Sequence, residues 1–297
     1  LVHSVLYWSV MVARLACSKK TKHISSLAVT MSHGAYSVKW YSGLARLLDK
    51  LTYKKSETLI GATTEVLKDF DHEIGIRGRS KVIYNFVNNE FFDHAIEYEL
   101  PVKGLKLVAV GNYREQKNYQ YLVDSFRLLK DRDVSIDVYG QGHLREMLQE
   151  QIDREGLKIS LMGPHTNLHQ VLPAYDALVM CSVFEGFGIA AAEAMAIGLP
   201  VLLSKIPVLQ EVSLRNAYFF NPRKPAEFAR IVKQILIDNS ALKEMSDKGK
   251  LIANKYYTKA NYINSLFELF DDVLANKPYR KQTFSPLGFK PRRVLES

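Results

Sequence analysis

The sequence predicts an α/β protein that consists of two domains, each built on a parallel β-sheet. Short apolar runs alternate with amphipathic segments along most of the chain, a pattern that is typical of βαβ units. The length of 297 residues exceeds that of one ordinary domain. The hydrophobic fraction of 47% and the charged fraction of 24% are those of a globular protein, which excludes a disordered or fibrous chain.

The alternation begins less completely in the first part of the chain. The predicted elements there are helix 5–16, strand 24–31, helix 41–53, strand 58–62, helix 64–71 and strand 81–84. These give about three strands, whereas an open sheet usually has about five or six. We therefore expect a first domain over 1–100 that is truncated at its start, and, with Leu1 in place of Met, we expect a chain that begins inside a longer protein.

The alternation is most regular in the second part, which we expect to form a domain over 101–255. The predicted elements are strand 105–110, helix 119–129, strand 134–139, helix 143–155, strand 159–162, helix 168–174, strand 177–181, helix 188–197, and strands 201–204 and 218–220. Near-continuous apolar strands joined by helices predict a parallel sheet that is covered on both faces. An amphipathic helix over 256–276 is expected to pack back toward the first domain, before a basic irregular tail over 277–297.

The net charge of +9 is concentrated at the two ends of the chain. Residues 1–60 hold nine Lys or Arg and two Asp or Glu, and residues 275–297 hold six and one. Basic end segments favour an anionic partner, such as a membrane surface or a phosphorylated substrate, although a solubilising face and a solvated tail fit the same pattern. The middle of the chain is slightly acidic, so no nucleic-acid partner is expected.

The cysteine count and the apolar runs exclude several classes of protein. Cys17 and Cys181 are too few for a disulfide framework or a cysteine-based zinc site, which favours a reduced, cytoplasmic setting. The longest apolar candidate, 2–17, is interrupted by Arg14 and predicts a helix that does not span a membrane.

The most specific motif lies in the loop and helix after strand 177–181. It contains Glu185, Gly186 and Gly188 in the loop and Glu193 within the helix. Open parallel sheets bind ligands at the carboxyl ends of their strands, and the free amides at a helix start suit an anion. Two carboxylates beside a phosphate-sized nest would suit a sugar-bearing nucleotide. The structural alternative is that Glu185 is a loop carboxylate and Glu193 a surface residue of the helix, and that neither binds a ligand.

The spacing E-G-F-G-x-x-x-x-E-A-M-A-x-G-x-P resembles the signature of retaining glycosyltransferases of family four, whose GT-B architecture has two Rossmann-like domains. The resemblance implies that the two motif glutamates hold the donor: Glu185 orients the sugar hydroxyls and Glu193 the ribose. It also implies a front-face mechanism without a protein nucleophile and without a metal or other cofactor.

A second loop, which begins at Gly111, resembles the family's G-R-L-x-x-x-K-N segment. Lys117 matches the family lysine that holds the donor diphosphate, whereas Asn112 stands at the arginine position, and Arg114 is the candidate to replace that arginine. A cation is needed there because negative charge accumulates on the leaving diphosphate. Exposed cations beside a helix start are the structural alternative.

Three further segments are similar to family loops. Gly163, Pro164 and His165 correspond to the loop whose backbone faces the base, and His33 corresponds to a histidine near the donor sugar and acceptor. The Gly140-x-Gly142 turn has Arg145 in place of the third glycine of a dinucleotide fingerprint, so we interpret it as a packing turn. The complete set of candidate residues has two parts: catalytic Glu185, His33 and Lys117, and donor-binding Gly111, Arg114, Lys117, Gly163, Pro164, His165, Glu185, Phe187, Gly188, Ile189 and Glu193.

The expected function is that of a retaining hexosyltransferase that moves a sugar from a nucleotide-sugar donor to a glycan or lipid-linked acceptor in surface polysaccharide or glycolipid synthesis. The expected location is the cytoplasm, with peripheral attachment to the inner face of the cell membrane as an option. Two alternatives remain open: a truncated or inactive nucleotide-sugar-binding protein and, with less support, a nucleotide-sugar epimerase.

Overall fold

A computed structural model of the chain describes residues 1–18, 20–33 and 42–279, which form two compact units. The first unit contains residues 1–84 and the segment that begins at Ser265, and the second contains Asn85–Asn264. Each unit has one parallel sheet with helices. The predicted α/β fold with two Rossmann-like sheets is therefore confirmed, while the exact domain limits stay predictions.

The first unit has a four-stranded parallel sheet in the order β1-β2-β3-β4. Its elements are β1 (Val2–Val5), α1 (Tyr7–Ala16), β2 (His23–Leu27), α2 (Ser42–Thr52), β3 (Thr58–Gly61), α3 (Thr64–Glu73) and β4 (Ser80–Val82).

This sheet differs from the sequence prediction at two strands. The predicted helix over 5–16 begins only at Tyr7, because Val2–Val5 pair with β2 as an additional parallel strand. The strand predicted over 24–31 already ends at Leu27. The amides of Met31 and Ser32 donate to the carboxylate of Asp69 on α3, at 2.5 and 3.1 Å, so this segment turns away from the sheet. The described part of the first unit thus contains four strands where about three were predicted.

The second unit has a six-stranded parallel sheet in the order β10-β9-β8-β5-β6-β7. Its strands are β5 (Leu105–Val110), β6 (Val134–Tyr139), β7 (Ile159–Gly163), β8 (Ala177–Met180), β9 (Val201–Ser204) and β10 (Tyr218–Phe220). Its helices are α4 (Asn89–Asp93), α5 (Tyr119–Arg127), α6 (Arg145–Glu155), α7 (Leu168–Val171), α8 (Ile189–Ile197), α9 (Pro207–Val212), α10 (Pro225–Ile237) and α11 (Ala241–Tyr256). The chain order reverses between β5 and β8, and this is the point where doubly wound sheets bind their ligands.

The last described helix, α12 (Lys259–Leu274), returns to the first unit as the sequence predicts. The ring of Phe270 lies 5.7 Å from that of His3, edge to face, and Lys81 donates to the carbonyl of Ser265 at 3.3 Å. Within the described ranges, no helix has the length and apolar character needed to cross a bilayer.

Candidate functional site

The candidate site of the second unit lies at the carboxyl ends of β5 and β8, where the strand order reverses. Residues 111–118 follow β5 and are called the Lys117 loop; residues 181–188 follow β8 and are called the Glu185 loop. The Val183 amide donates to the Gln116 carbonyl at 2.9 Å, and the Gln116 side chain donates to the Phe184 carbonyl at 3.1 Å. These bonds hold the two loops side by side.

Lys117 and Glu185 form an ion pair between these loops. The Lys117 Nζ lies 2.7 Å from Glu185 Oε1, and their side chains are 20% and 9% exposed. The pair therefore stands at the edge of the protein interior, where a ligand can still reach it and where solvent screens charge less than at an open surface.

Asn118 fixes the backbone on which Lys117 stands. It adopts the left-handed conformation with φ of 55°, which asparagine tolerates better than most residues. Its side-chain amide donates to the carbonyls of Cys181 and Pro222, at 3.3 and 3.0 Å, and the Cys181 thiol donates to the Lys117 carbonyl at 3.0 Å. The lysine is thus positioned by contacts from the neighbouring strand ends.

Glycines allow the Lys117 loop to pack closely against the end of β6. A Cβ atom on Gly140 would lie 2.0 Å from the Gly111 carbonyl oxygen, and one on Gly142 would lie 2.5 Å from the Tyr113 carbonyl oxygen. Neither position has space for a side chain, so the interpretation of Gly140-x-Gly142 as a packing turn is confirmed. The Gly140 amide also donates to the Gly163 carbonyl at 2.8 Å, which brings the next loop beside this one.

That next loop contains the predicted base-facing segment. Gly163 has a positive φ of 82°, and Pro164 and His165 are exposed. The His165 ring lies edge to face against Tyr139, at 5.8 Å between centroids, and the Asn167 amide donates to His165 Nδ1 at 3.2 Å. The segment is therefore ordered and accessible at the same edge of the sheet.

Helix α8 presents one narrow accessible face. Ile189 and Glu193 are four residues apart, so they lie on the same side, and every other residue of the helix is buried. The helix starts at Gly188, whose φ is 85°, and a Cβ there would lie 2.6 Å from Leu209 Cδ2. Only glycine fits this close approach without strain.

The two motif glutamates have different surroundings. Glu185 has the ammonium group of Lys117, whereas no described residue forms an ion pair or hydrogen bond with the Glu193 side chain. Burial without a compensating partner raises the pKa of Glu193 to about 7. A hydrogen-bond donor on a ligand would stabilise the ionised form of this carboxylate.

Three other predicted residues have surroundings that differ from those of Lys117, Glu185 and Glu193. Arg114 is exposed on the Lys117 loop. The Phe187 ring is buried and packs edge to face on Tyr257 at 5.4 Å, so the ring is not available for contact with a ligand. His33 belongs to the first unit, where its Nδ1 is hydrogen-bonded with the hydroxyls of Thr30 and Ser32, both at 3.1 Å.

The sequence did not reveal the positioning roles of Asn118 and Tyr119. The Tyr119 hydroxyl donates to the Gly111 carbonyl at 3.1 Å, and burial raises the pKa of this phenol well above its usual value, so the donor proton is retained. An asparagine directly after the loop lysine is the one local signal of this arrangement, because asparagine is enriched in the left-handed conformation.

Comparison with known families gives a match to "Glycosyl transferases group 1" over residues 92–252, more than half of the chain. An uncharacterized glycosyltransferase of Methanocaldococcus jannaschii is 28% identical over 57% of this chain and 50% of its own length. The O-antigen chain mannosyltransferase RfbU of Salmonella typhimurium is 29% identical over 64% of this chain and 54% of its own length. The chain thus spans about half the length of these relatives.

Solved structures show the same fold. HepE of Anabaena in complex with UDP has a TM-score of 0.75 at 18% identity and covers 89% of this chain and 76% of its own. Sucrose-phosphate synthase of Thermosynechococcus elongatus has a TM-score of 0.79 at 16% identity and covers 92% of this chain and 73% of its own.

Proposed function

The chain belongs to the family glycosyl transferases group 1, and from this premise we propose that it is a retaining glycosyltransferase that uses a nucleotide-sugar donor. The proposed acceptor is a glycan or lipid-linked glycan in surface polysaccharide or glycolipid synthesis. A relative that is named an O-antigen chain mannosyltransferase supports this acceptor class. A similar fold in complex with UDP supports a nucleoside diphosphate as the leaving group.

The observation that carries the proposal is the Lys117–Glu185 ion pair between the two loops, 2.7 Å long and partly accessible. A donor that enters here exchanges the partners: the diphosphate takes the ammonium group, and the sugar hydroxyls donate to the carboxylate. Both groups are then paired again, so the exchange costs little desolvation.

The accessible face of α8 suits the nucleoside. Glu193 lacks a partner among the described residues, and ribose hydroxyls are hydrogen-bond donors of the kind that its carboxylate needs. Ile189 offers apolar contact on the same face, and the free amides at the start of α8 suit an anionic group of the donor. The loop of Gly163, Pro164 and His165 would face the base.

In the proposed reaction, the bond between the anomeric carbon and the diphosphate oxygen breaks, and the acceptor oxygen bonds to that carbon on the same face. The acceptor proton passes to the leaving phosphate oxygen. Lys117, with Arg114 as a second cation, stabilises the negative charge that accumulates on the diphosphate. We assign no metal to this step. His33 is proposed to contact the donor sugar and acceptor.

The basic first 60 residues are proposed to face an anionic acceptor or membrane surface, which would place the enzyme at the inner face of the cell membrane.

The anomeric configuration of the product tests the retaining reaction. The chain, produced together with any sequence that precedes Leu1, is incubated with nucleotide sugars and extracts of lipid-linked acceptor, and the new linkage is analysed by NMR. We expect the configuration of the donor to be kept. Inversion would contradict the retaining mechanism, and saturable UDP binding without any transfer would support the alternative of a nucleotide-sugar-binding protein.

A further inference from the structure

A cleft of about 420 Å³ lies in the first unit, at the amino ends of β2, β3 and β4. It is thus at the opposite edge of this sheet from the loop that contains His33, which follows the carboxyl end of β2. Its volume falls within the range of small-molecule sites. We call it the basic cleft.

Five cationic side chains line the basic cleft: Lys22, Lys55, Arg77, Arg79 and Lys277. None of its described lining residues is acidic. Asp272, just outside, lies 3.7 Å from Arg79 and 2.8 Å from Lys277, and it is the only described carboxylate that pairs with any of the five. Like charges in one concavity repel each other and concentrate anions from solution.

Two of the guanidinium groups are held in place before any ligand arrives. Arg77 lies over the ring of buried Tyr53, 5.9 Å from its centroid, and its backbone amide donates to the Tyr53 hydroxyl at 3.3 Å. Arg79 lies 5.6 Å from the ring centroid of Tyr279 and donates to the Lys277 carbonyl at 2.6 Å.

Gly78, between these two arginines, lets the segment pass close to the loop before β3. A Cβ atom on it would lie 2.4 Å from the Lys55 carbonyl oxygen. This close approach brings Lys55 and the two arginines to one cleft. Groups that are already positioned lose less entropy when a ligand binds.

We propose that the basic cleft is a binding site for a phosphate-bearing anion with two or more negative charges. Guanidinium groups match phosphate oxygens in a two-point geometry, and lysines add charge without a directional requirement. A neutral sugar would leave the cationic excess uncompensated, and a single carboxylate would compensate little of it. The site is in a different unit from the Lys117–Glu185 pair and is independent of the proposed transfer reaction.

Inorganic pyrophosphate is the probe for this site, with titration calorimetry as the measurement. All variants carry Lys117→Ala, so that binding beside Glu185 is weakened equally in every protein that is compared. We expect Lys55→Ala with Arg77→Ala to weaken pyrophosphate binding at least about tenfold, since two charge-assisted contacts are lost. The matched control, Lys130→Ala with Arg132→Ala, removes two exposed cations of the second unit and should change the affinity by less than about twofold.

A second experiment, with lipid vesicles, distinguishes a free phosphorylated ligand from a lipid headgroup. The same variants are sedimented with vesicles of phosphatidylglycerol and, for comparison, phosphatidylcholine. We call Lys55→Ala with Arg77→Ala the cleft variant. If it loses pyrophosphate binding but still binds phosphatidylglycerol, the ligand is a free phosphorylated molecule. If it also loses phosphatidylglycerol binding, the ligand is a lipid headgroup. Equal behaviour of the cleft variant and the control variant in both arms would overturn the proposal, provided that their circular dichroism spectra agree.

Discussion

The two units place their charged side chains in different ways. In the first unit, the guanidinium of Arg14 is buried and donates to Glu57 at 2.9 and 3.0 Å and also to Asp49, and the Ser25 hydroxyl donates to Glu57 at 2.6 Å. In the second unit, Lys117 and Glu185 share one contact, and Glu193 has no partner among the described residues.

This difference separates a structural role in the first unit from the proposed functional role in the second. The cluster of Arg14, Ser25, Asp49 and Glu57 joins elements of the first unit inside the protein, where Arg14 and Glu57 each have several hydrogen bonds. The charges at the ends of β5 and β8 are only partly matched, and they lie at the edge of the sheet where ligands bind. A bound ligand can supply the hydrogen bonds and charges that these accessible side chains lack.

The largest expected effect on stability comes from Arg14→Met. It removes the guanidinium group that donates to the buried carboxylates of Asp49 and Glu57, so the free energy of unfolding should fall by about 3–5 kcal/mol. Urea unfolding followed by circular dichroism measures this change. UDP affinity, measured by calorimetry, should stay within about twofold, because no residue of the second unit changes.

The control for this prediction is Lys248→Ala, which removes an exposed ion pair with Glu244 and should cost at most about 0.5 kcal/mol. A cost below about 1 kcal/mol for Arg14→Met would mean that the cluster is not the structural element we infer.

The next prediction concerns the Lys117–Glu185 pair, where we expect a large loss of activity and a small change in stability. Lys117→Ala or Glu185→Gln should lower kcat by about 10²- to 10³-fold, because charge stabilisation in the transition state is lost. The free energy of unfolding should change by only about 1 kcal/mol, since the pair is partly accessible. Initial rates with a nucleotide sugar measure kcat, and urea unfolding measures the free energy of unfolding.

Glu115→Gln is the matched control, because Glu115 is an exposed carboxylate of the same loop and pairs with His143 at 3.0 Å. Its rate should equal that of the unmodified chain. Normal turnover in Glu185→Gln would show that the site assignment is wrong.

The last prediction concerns the pH dependence due to Glu193. Its pKa is raised from the ordinary 4.5 to about 7, so the folded state binds the proton more tightly than the unfolded state. The free energy of unfolding should therefore fall as the pH rises from about 4.5 to about 7, by up to about 3 kcal/mol. UDP affinity should increase over pH 6–8, because the ionised carboxylate is the better acceptor for ribose hydroxyls.

The difference between the unmodified chain and Glu193→Gln isolates this contribution, with urea unfolding and calorimetry at each pH. Parallel pH profiles for the two proteins would show that the carboxylate titrates normally and is already matched in the free protein.

The sequence by itself determined the α/β class and the candidate loops after β5 and β8. Apolar strands and glycine-bounded loops are local patterns, and the separation of four residues between Ile189 and Glu193 places both on one helix face through helical geometry alone. The resemblance to a family added the expected roles.

The tertiary structure decided which of these residues meet. Val2–Val5 form a strand because β2 lies beside them, and Lys117 reaches Glu185, 68 positions later, because the order of the strands brings β5 next to β8. The basic cleft likewise gathers side chains from Lys22 to Lys277. Such contacts depend on strand order and chain crossings, which no local pattern records.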